Sequence, residues 1–216
     1  AIGAARLLHQ RKHEFNGKVA IWFQPGEEGH GGADMMIDEG ALKLTGELPI
    51  AAYGLHVFTS IPLGLFTSKP GTLMASAGGM IVELEGQGGH GSMPWLSRDP
   101  ITAATEIISS LQQLVTKRFS ALDPVIINVG WIHAGDQTTT NVIPERASFG
   151  ATLRTFSKEN FELVRELLPP FVESIAGAHQ VSSKVRFELA SKVVINNPEH
   201  YQLSKEVVAE CFGAER

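Results

Sequence analysis

The sequence predicts a mixed α/β protein in two parts, an open sheet of alternating helices and strands with a smaller antiparallel module inserted into it. Three observations carry that prediction. Two continuous apolar runs, VAIWFQ at 19–24 and IAAYGLHV at 50–57, alternate with helical patterns, as in a sheet whose strands are buried on both faces. After PLGLFTSKPG the pattern changes to half-exposed strands, beginning with GMIVELEGQ. Helical spacing alone returns at the end, in NNPEHYQLSKEVVAECF.

Taken in order, AIGAARLLHQRKHEF reads as a helix, with Ile2, Ala5, Leu8 and Phe15 at helical spacing and no capping residue ahead of them. The run 19–24 is a buried strand, GADMMIDEGALK a helix stopped near Gly40, and 50–57 a second buried strand ending near His56. In GMIVELEGQ, Met80, Val82 and Leu84 share one face. DPITAATEIISSLQQLVTKR is a helix whose apolar face is read as Ile101, Ala104, Thr105, Ile108, Leu111 and Val115. PVIINVGWIHAG (124–135) and ERASFGATLRTF (145–156) are strands. SKENFELVRELLPPFVESIAGA is a helix with Ser157 as its N-cap. Pro169–Pro170 is expected to kink or split it, because an interior proline costs ~3 kcal/mol. SSKVRFEL (182–189) completes the order β-α-β-β-α-β, the split-βαβ or ferredoxin-like module, with a four-stranded sheet covered by helices on one face. The expected division is 1–72 for the first part of the α/β domain, 73–191 for the module, and 192–216 for the return to the α/β domain.

The chain of 216 residues suffices for one large domain or two smaller ones. Eighteen basic against 23 acidic residues give a net charge of -5, and no basic cluster stands out, which argues against nucleic acid or an anionic membrane as partner. The single cysteine, Cys211, excludes an internal disulfide framework and suits a reducing compartment, so cytoplasmic is the default expectation. No apolar run is long enough to span a membrane. The chain begins inside one helical pattern at Ala1 and stops in CFGAER, close to another, so a fragment lacking both ends is expected.

The chemistry gathers at a few places. Glu27 and Glu28, in QPGEEGHGG, are adjacent carboxylates just beyond an apolar run. A divalent cation would relieve their repulsion, with one acid as ligand and the other polarising bound water. A solvated loop with an acidic helix start is the other reading. His56, at the end of the other apolar run, is a metal ligand or a satisfied core residue. Four-coordinate zinc wants three or four protein donors, and the further donor nearby is His30, in a glycine-rich turn. GQGGHGSMP contains G-x-G-x-x-G at Gly86, Gly88 and Gly91, but Met93, Pro94, Trp95 and Pro100 precede the helix and Glu106 lies within it, so the dinucleotide reading fails on context. What remains is a flexible turn presenting His90 on an exposed tip, or a glycine-rich hairpin with an incidental histidine. Asn141 could donate to a developing oxyanion and Arg154 could hold a carboxylate, or both are surface residues. His133 could join them or face the module's sheet.

Together QPGEEGHGGADMMIDEG, YGLHV, GGHGSMP, DP-x7-I, NVIPE and TLRTF, in this order and spacing, resemble the aminoacylase/carboxypeptidase family of dinuclear metallopeptidases. Within it they are most similar to the N-acyl-amino-acid amidohydrolases that include hippurate hydrolases and auxin-conjugate hydrolases. The resemblance implies a zinc-exopeptidase-like open sheet, here partial, carrying the inserted ferredoxin-like dimerisation module. It implies Glu27 as general base, Glu28 and His56 as metal ligands, and His90 as the module's catalytic histidine, which in dimeric relatives reaches into the partner subunit's site. Asn141 and Arg154 match residues that contact the substrate carboxylate or the tetrahedral intermediate. The implied cofactor is a divalent metal, two ions per site, with zinc suited and manganese or cobalt as alternatives. The implied partners are an N-acyl amino acid substrate and a second copy of the chain, docked through 73–191. The family's Cys-x-His ligand pair and last histidine ligand have no match here, so these residues alone are expected to bind metal weakly and to be inactive. A non-catalytic relative, or a piece acting only in dimerisation, is the competing reading.

Overall fold

A computed structural model describes residues 1–27 and 31–216. The chain forms two compact units, Ala1–Thr67 with Ser204–Arg216, and Ser68–Leu203.

The second unit is built on a four-stranded antiparallel sheet of strands that alternate in burial. β1 (Gly71–Met74) leads into β2 (Ala77–Glu85), and the short β3 (Gly89–His90) follows. Helix α3 (Pro100–Arg118; α1 and α2 belong to the first unit) then crosses to β4 (Val125–Ala134). The short β5 (Val142–Ile143) precedes β6 (Arg146–Thr155), and helix α4 (Lys158–Ala178) leads to β7 (Ser182–Ser191) and β8 (Val194–Asn196). The main sheet has the order β4-β6-β2-β7, with β1-β8 and β3-β5 as separate two-stranded ribbons. Omitting the ribbons, the chain order is the expected β-α-β-β-α-β. The register pairs Val82 with Phe149 on one side and with Val185 on the other, so one face of three strands aligns. Met80, Val82 and Leu84 of β2, Ala147, Phe149, Ala151 and Leu153 of β6, and Val125 and Ile127 of β4 are buried on that face. Ile107 and Leu111 of α3 and Val164, Leu168 and Val172 of α4 cover it in a single apolar cluster.

Two expectations about the helices are corrected. Helix α3 turns Pro100, Ala103, Ala104, Ile107 and Leu111 inward, while Ile101 and Thr105 are exposed. Spacings of three and four counted from Pro100 define the buried stripe, and the adjacent small pair Ala103–Ala104 lets the helix lie close to the sheet. Asp99 caps its start, accepting from the Ile101 N–H at 2.9 Å and the Thr102 hydroxyl at 2.6 Å. Helix α4 is not split: it continues through Pro169 and Pro170 from Lys158 to Ala178. The carbonyls that lose their i+4 donors belong to Arg165 and Glu166, both exposed, so water can serve them. Buried Leu168 and Val172 anchor the helix on either side of the prolines.

The first unit contains α1 (Ile2–Gln10), α2 (Gly32–Asp38), a short 3-10 turn (Ala41–Lys43) and the end of α5 (Pro198–Phe212), whose first residues belong to the second unit. Helix α1 ends before Phe15, earlier than its pattern predicts. The apolar runs 19–24 and 50–57, expected as buried strands, form none. A strand of that kind needs ladder partners on its edges and cover on both faces, and here Phe23, Ile50, Leu55 and Val57 are exposed. The run 19–24 is held instead by the Trp22 indole N–H, which donates to the Ala41 carbonyl at 3.1 Å. Among the described residues no helix is long and apolar enough to cross a membrane.

Candidate functional site

In the first unit the start of α2 lies against the backbone of Pro25. Gly32 is buried at the start of α2, and a Cβ placed there would lie 1.7 Å from the Pro25 carbonyl oxygen, so no other residue fits. Glu27 is exposed at a turn. Glu28 and His30 lie outside the described residues.

His56 is exposed, with its ring stacked on Phe58 at 4.4 Å between centroids and 24° between planes. Its Nδ1 lies 2.8 Å from the Val57 carbonyl oxygen. A carbonyl only accepts, so Nδ1 carries the proton and donates, leaving the Nε2 lone pair bare in the neutral ring. Metal-ligating histidines are commonly held this way, with the second nitrogen donating to a backbone carbonyl. Being exposed, His56 is not the satisfied core histidine that was the alternative. Among the described residues, however, no group of three or more His, Cys, Asp or Glu could hold a metal ion.

In the second unit the structure brings His90 and Asn141 together. His90 was expected on a flexible turn; it lies instead at the end of β3, opposite Val142 of β5, and remains exposed. The Gly91 N–H donates to the Asn141 carbonyl at 2.8 Å, so the histidine and the asparagine flank one short ribbon. The glycines of 86–91 serve this close approach and not a phosphate. A Cβ at Gly91 would lie 3.2 Å from the Asn141 carbonyl oxygen, and one at Gly86 would lie 2.1 Å from that of Arg98. Glu106 is engaged elsewhere, its Oε2 lying 2.6 Å from Nε2 of His179, at the C-terminal end of α4.

Arg154 lies on β6, and its Nη1 donates to the carbonyls of Gly78 at 3.1 Å and Leu153 at 2.8 Å. His133 lies on β4 opposite Ser148, within the main sheet and exposed. The residue that sequence reading passed over is Ser92. Its backbone N–H and its hydroxyl lie 3.2 and 2.8 Å from the His90 Nδ1. A serine two positions after a histidine in a turn was the available signal, since short hydroxyl side chains bond locally at that spacing.

Comparison with known proteins identifies the family. Residues 75–179 match the model of the peptidase dimerisation domain, M20_dimer. The chain is 34% identical to IAA-amino acid hydrolase ILR1-like 2 of Arabidopsis thaliana, over 99% of the chain and 48% of that protein. It is 33% identical to hippurate hydrolase of Campylobacter jejuni, over 97% of the chain and 53% of the relative. It thus spans about half the length of the curated relatives it matches. Among solved structures, a Bacillus subtilis protein described as a dinuclear metal binding peptidase from the M20 family superposes with a TM-score of 0.75 at 30% identity, over 97% of this chain and 51% of that one. With these similarities extending over nearly the whole of its length, the chain belongs to the M20 peptidase family and carries that family's dimerisation domain.

Proposed function

We propose that the chain contributes to a metal-dependent amidohydrolase that cleaves the amide bond of N-acyl amino acids. The observation that carries this reading is the hydrogen bond of His56, whose Nδ1 lies 2.8 Å from the Val57 carbonyl and so donates to it, leaving Nε2 as the acceptor of the neutral ring. Relatives named as hydrolases of amino acid conjugates supply the substrate class.

Glu28 and His56 are the residues proposed to hold metal. The bound cations, zinc by donor chemistry or manganese or cobalt, would polarise a water molecule. Glu27 would take a proton from the attacking water and pass it to the amine nitrogen as the C–N bond breaks. The products are the free amino acid and the acyl carboxylate. His90 and the Asn141 amide donate to the carbonyl oxygen as it gains charge, a contribution of about 3–4 kcal/mol per donor. Arg154 takes the carboxylate of the amino acid. The dimerisation domain supports a homodimer joined through 73–191, in which His90 serves the partner's site.

A second reading, a chain acting only as a dimerisation module, is favoured by the lack of a metal-holding group among the described residues. The two separate on one assay with the protein encoded by the complete reading frame. Amino acid release is followed from a panel of N-acetyl, N-benzoyl and N-indolylacyl amino acids, with and without chelator. The amidohydrolase reading expects release that chelator abolishes and divalent cation restores. No release from a folded, metal-supplied protein would leave the module reading.

A further inference from the structure

The hydrogen bonds around His90 determine which ring nitrogen carries its proton. The turn that holds the ring is closed by the Met93 N–H, which donates to the His90 carbonyl at 2.9 Å. Within it the Ser92 N–H donates to the His90 Nδ1 at 3.2 Å. A backbone N–H has no acceptor role, so Nδ1 must offer its lone pair. The Ser92 hydroxyl, 2.8 Å from the same nitrogen, then donates as well. In the neutral ring the proton therefore resides on Nε2. A proton on Nδ1 could donate to the hydroxyl, but it would face the Ser92 N–H without a lone pair to offer.

The ribbon beneath keeps this arrangement in register. His90 is paired with Val142, and the Gly91 N–H is tied to the Asn141 carbonyl. Ser92 thus follows directly on the ribbon that carries both proposed oxyanion donors.

From this geometry we infer that Ser92 is a positioning residue, fixing the orientation of His90 and holding it as the Nε2–H tautomer, so that the ring presents a hydrogen-bond donor to the reacting carbonyl oxygen. The inference rests on the amidohydrolase reading for its purpose but not for its tautomer, and the two are tested separately. His56 provides the contrast within the same chain: there a carbonyl lies against Nδ1, and the opposite tautomer follows.

Long-range proton–nitrogen NMR on the 216-residue chain at neutral pH reads the tautomer directly. An unprotonated Nδ1 and a protonated Nε2 on His90 are expected, and a protonated Nδ1 in the neutral ring overturns the inference. In the protein from the complete reading frame, Ser92→Ala is expected to lower kcat on the order of tenfold to a hundredfold with KM little changed, as misorientation of one group does. Ser92→Thr, which keeps the hydroxyl, is expected to restore most of the loss. Equal loss in both variants, or a loss confined to KM, would reduce Ser92 to a turn residue and overturn the positioning role. If the wild-type protein hydrolyses no N-acyl amino acid, the amidohydrolase reading fails while the NMR result still decides the tautomer.

Discussion

The two units bury the same kinds of residue to opposite extents. In the second, Phe149 and Val82 are 0% exposed at the centre of a sheet whose ladder partners all come from the same stretch of chain. In the first, Ile50 is 99%, Leu55 89% and Val57 90% exposed, although their run is as apolar as any strand of the sheet. Apolarity states what a segment gains by burial, about 1.5–3 kcal/mol for a large aliphatic side chain. It does not supply the neighbour. A strand exists only with a partner on its edge, so strand formation is a property of the pair and not of the run.

The sharpest way to break this comparison is to delete an equivalent apolar group from each unit. Phe149→Ala is expected to cost about 3–5 kcal/mol, because it opens a cavity between the sheet and its helices. Leu55→Ala is expected to change stability by no more than ~0.5 kcal/mol, the usual range for an exposed site. Denaturant unfolding of both variants of the 216-residue chain measures the difference. Comparable losses would mean that the first unit buries its apolar runs in solution.

Legibility in the sequence follows the same division. The strands and helices of the module were readable from local signals, such as alternation in 79–87 and the capping Ser157 before α4. The orientation of α3 was misread because Ile101 and Ile108 lie next to the true stripe, and only contact with the sheet chooses between neighbouring faces. The unbroken α4 was misread because a proline's cost depends on whether the freed carbonyls meet water, which sequence does not show. At the candidate site, residue types and motifs marked Glu27, His56, His90, Asn141 and Arg154. The closeness of His90 to Asn141 was not readable, since 50 residues separate them and a β-ribbon pairing joins them. Ser92 was missed because its role lies in a hydrogen bond and not in a pattern.

A polar contrast sharpens the comparison at a smaller scale. At the base of the sheet, buried Ser76 and Thr155 are linked hydroxyl to hydroxyl at 2.9 Å, and the Thr155 N–H donates to the Ser76 Oγ at 3.1 Å. Ser76→Ala strands that N–H away from water and is expected to cost about 1–3 kcal/mol. In the first unit Lys18 donates to the Thr45 carbonyl at 2.7 Å and meets Glu47 at 3.3 Å, with both charged side chains exposed. Lys18→Ala is expected to cost ~1 kcal/mol or less, because solvent replaces what is lost. The same denaturation measurement checks both, and a larger loss at Lys18 would reverse the ranking.

The smallest effect lies at the second unit's surface, in the loop that leads to Asn141. The Thr138 hydroxyl and the Thr138 N–H both donate to Asp136 Oδ1, at 2.7 and 2.8 Å. Both bonds favour the charged carboxylate, the hydroxyl most, and hold its pKa below the ordinary value. A depressed carboxylate contributes its stabilisation above the unfolded value, near ~3.9, and loses it as pH falls through the lower folded value. The Thr138 amide proton followed by NMR should therefore titrate with a midpoint below ~3.9, the unfolded reference, and Asp136→Asn should abolish the titration. Being fully exposed, the group should leave the global unfolding midpoint almost untouched. A midpoint at or above the unfolded value would mean that the turn is not formed in solution.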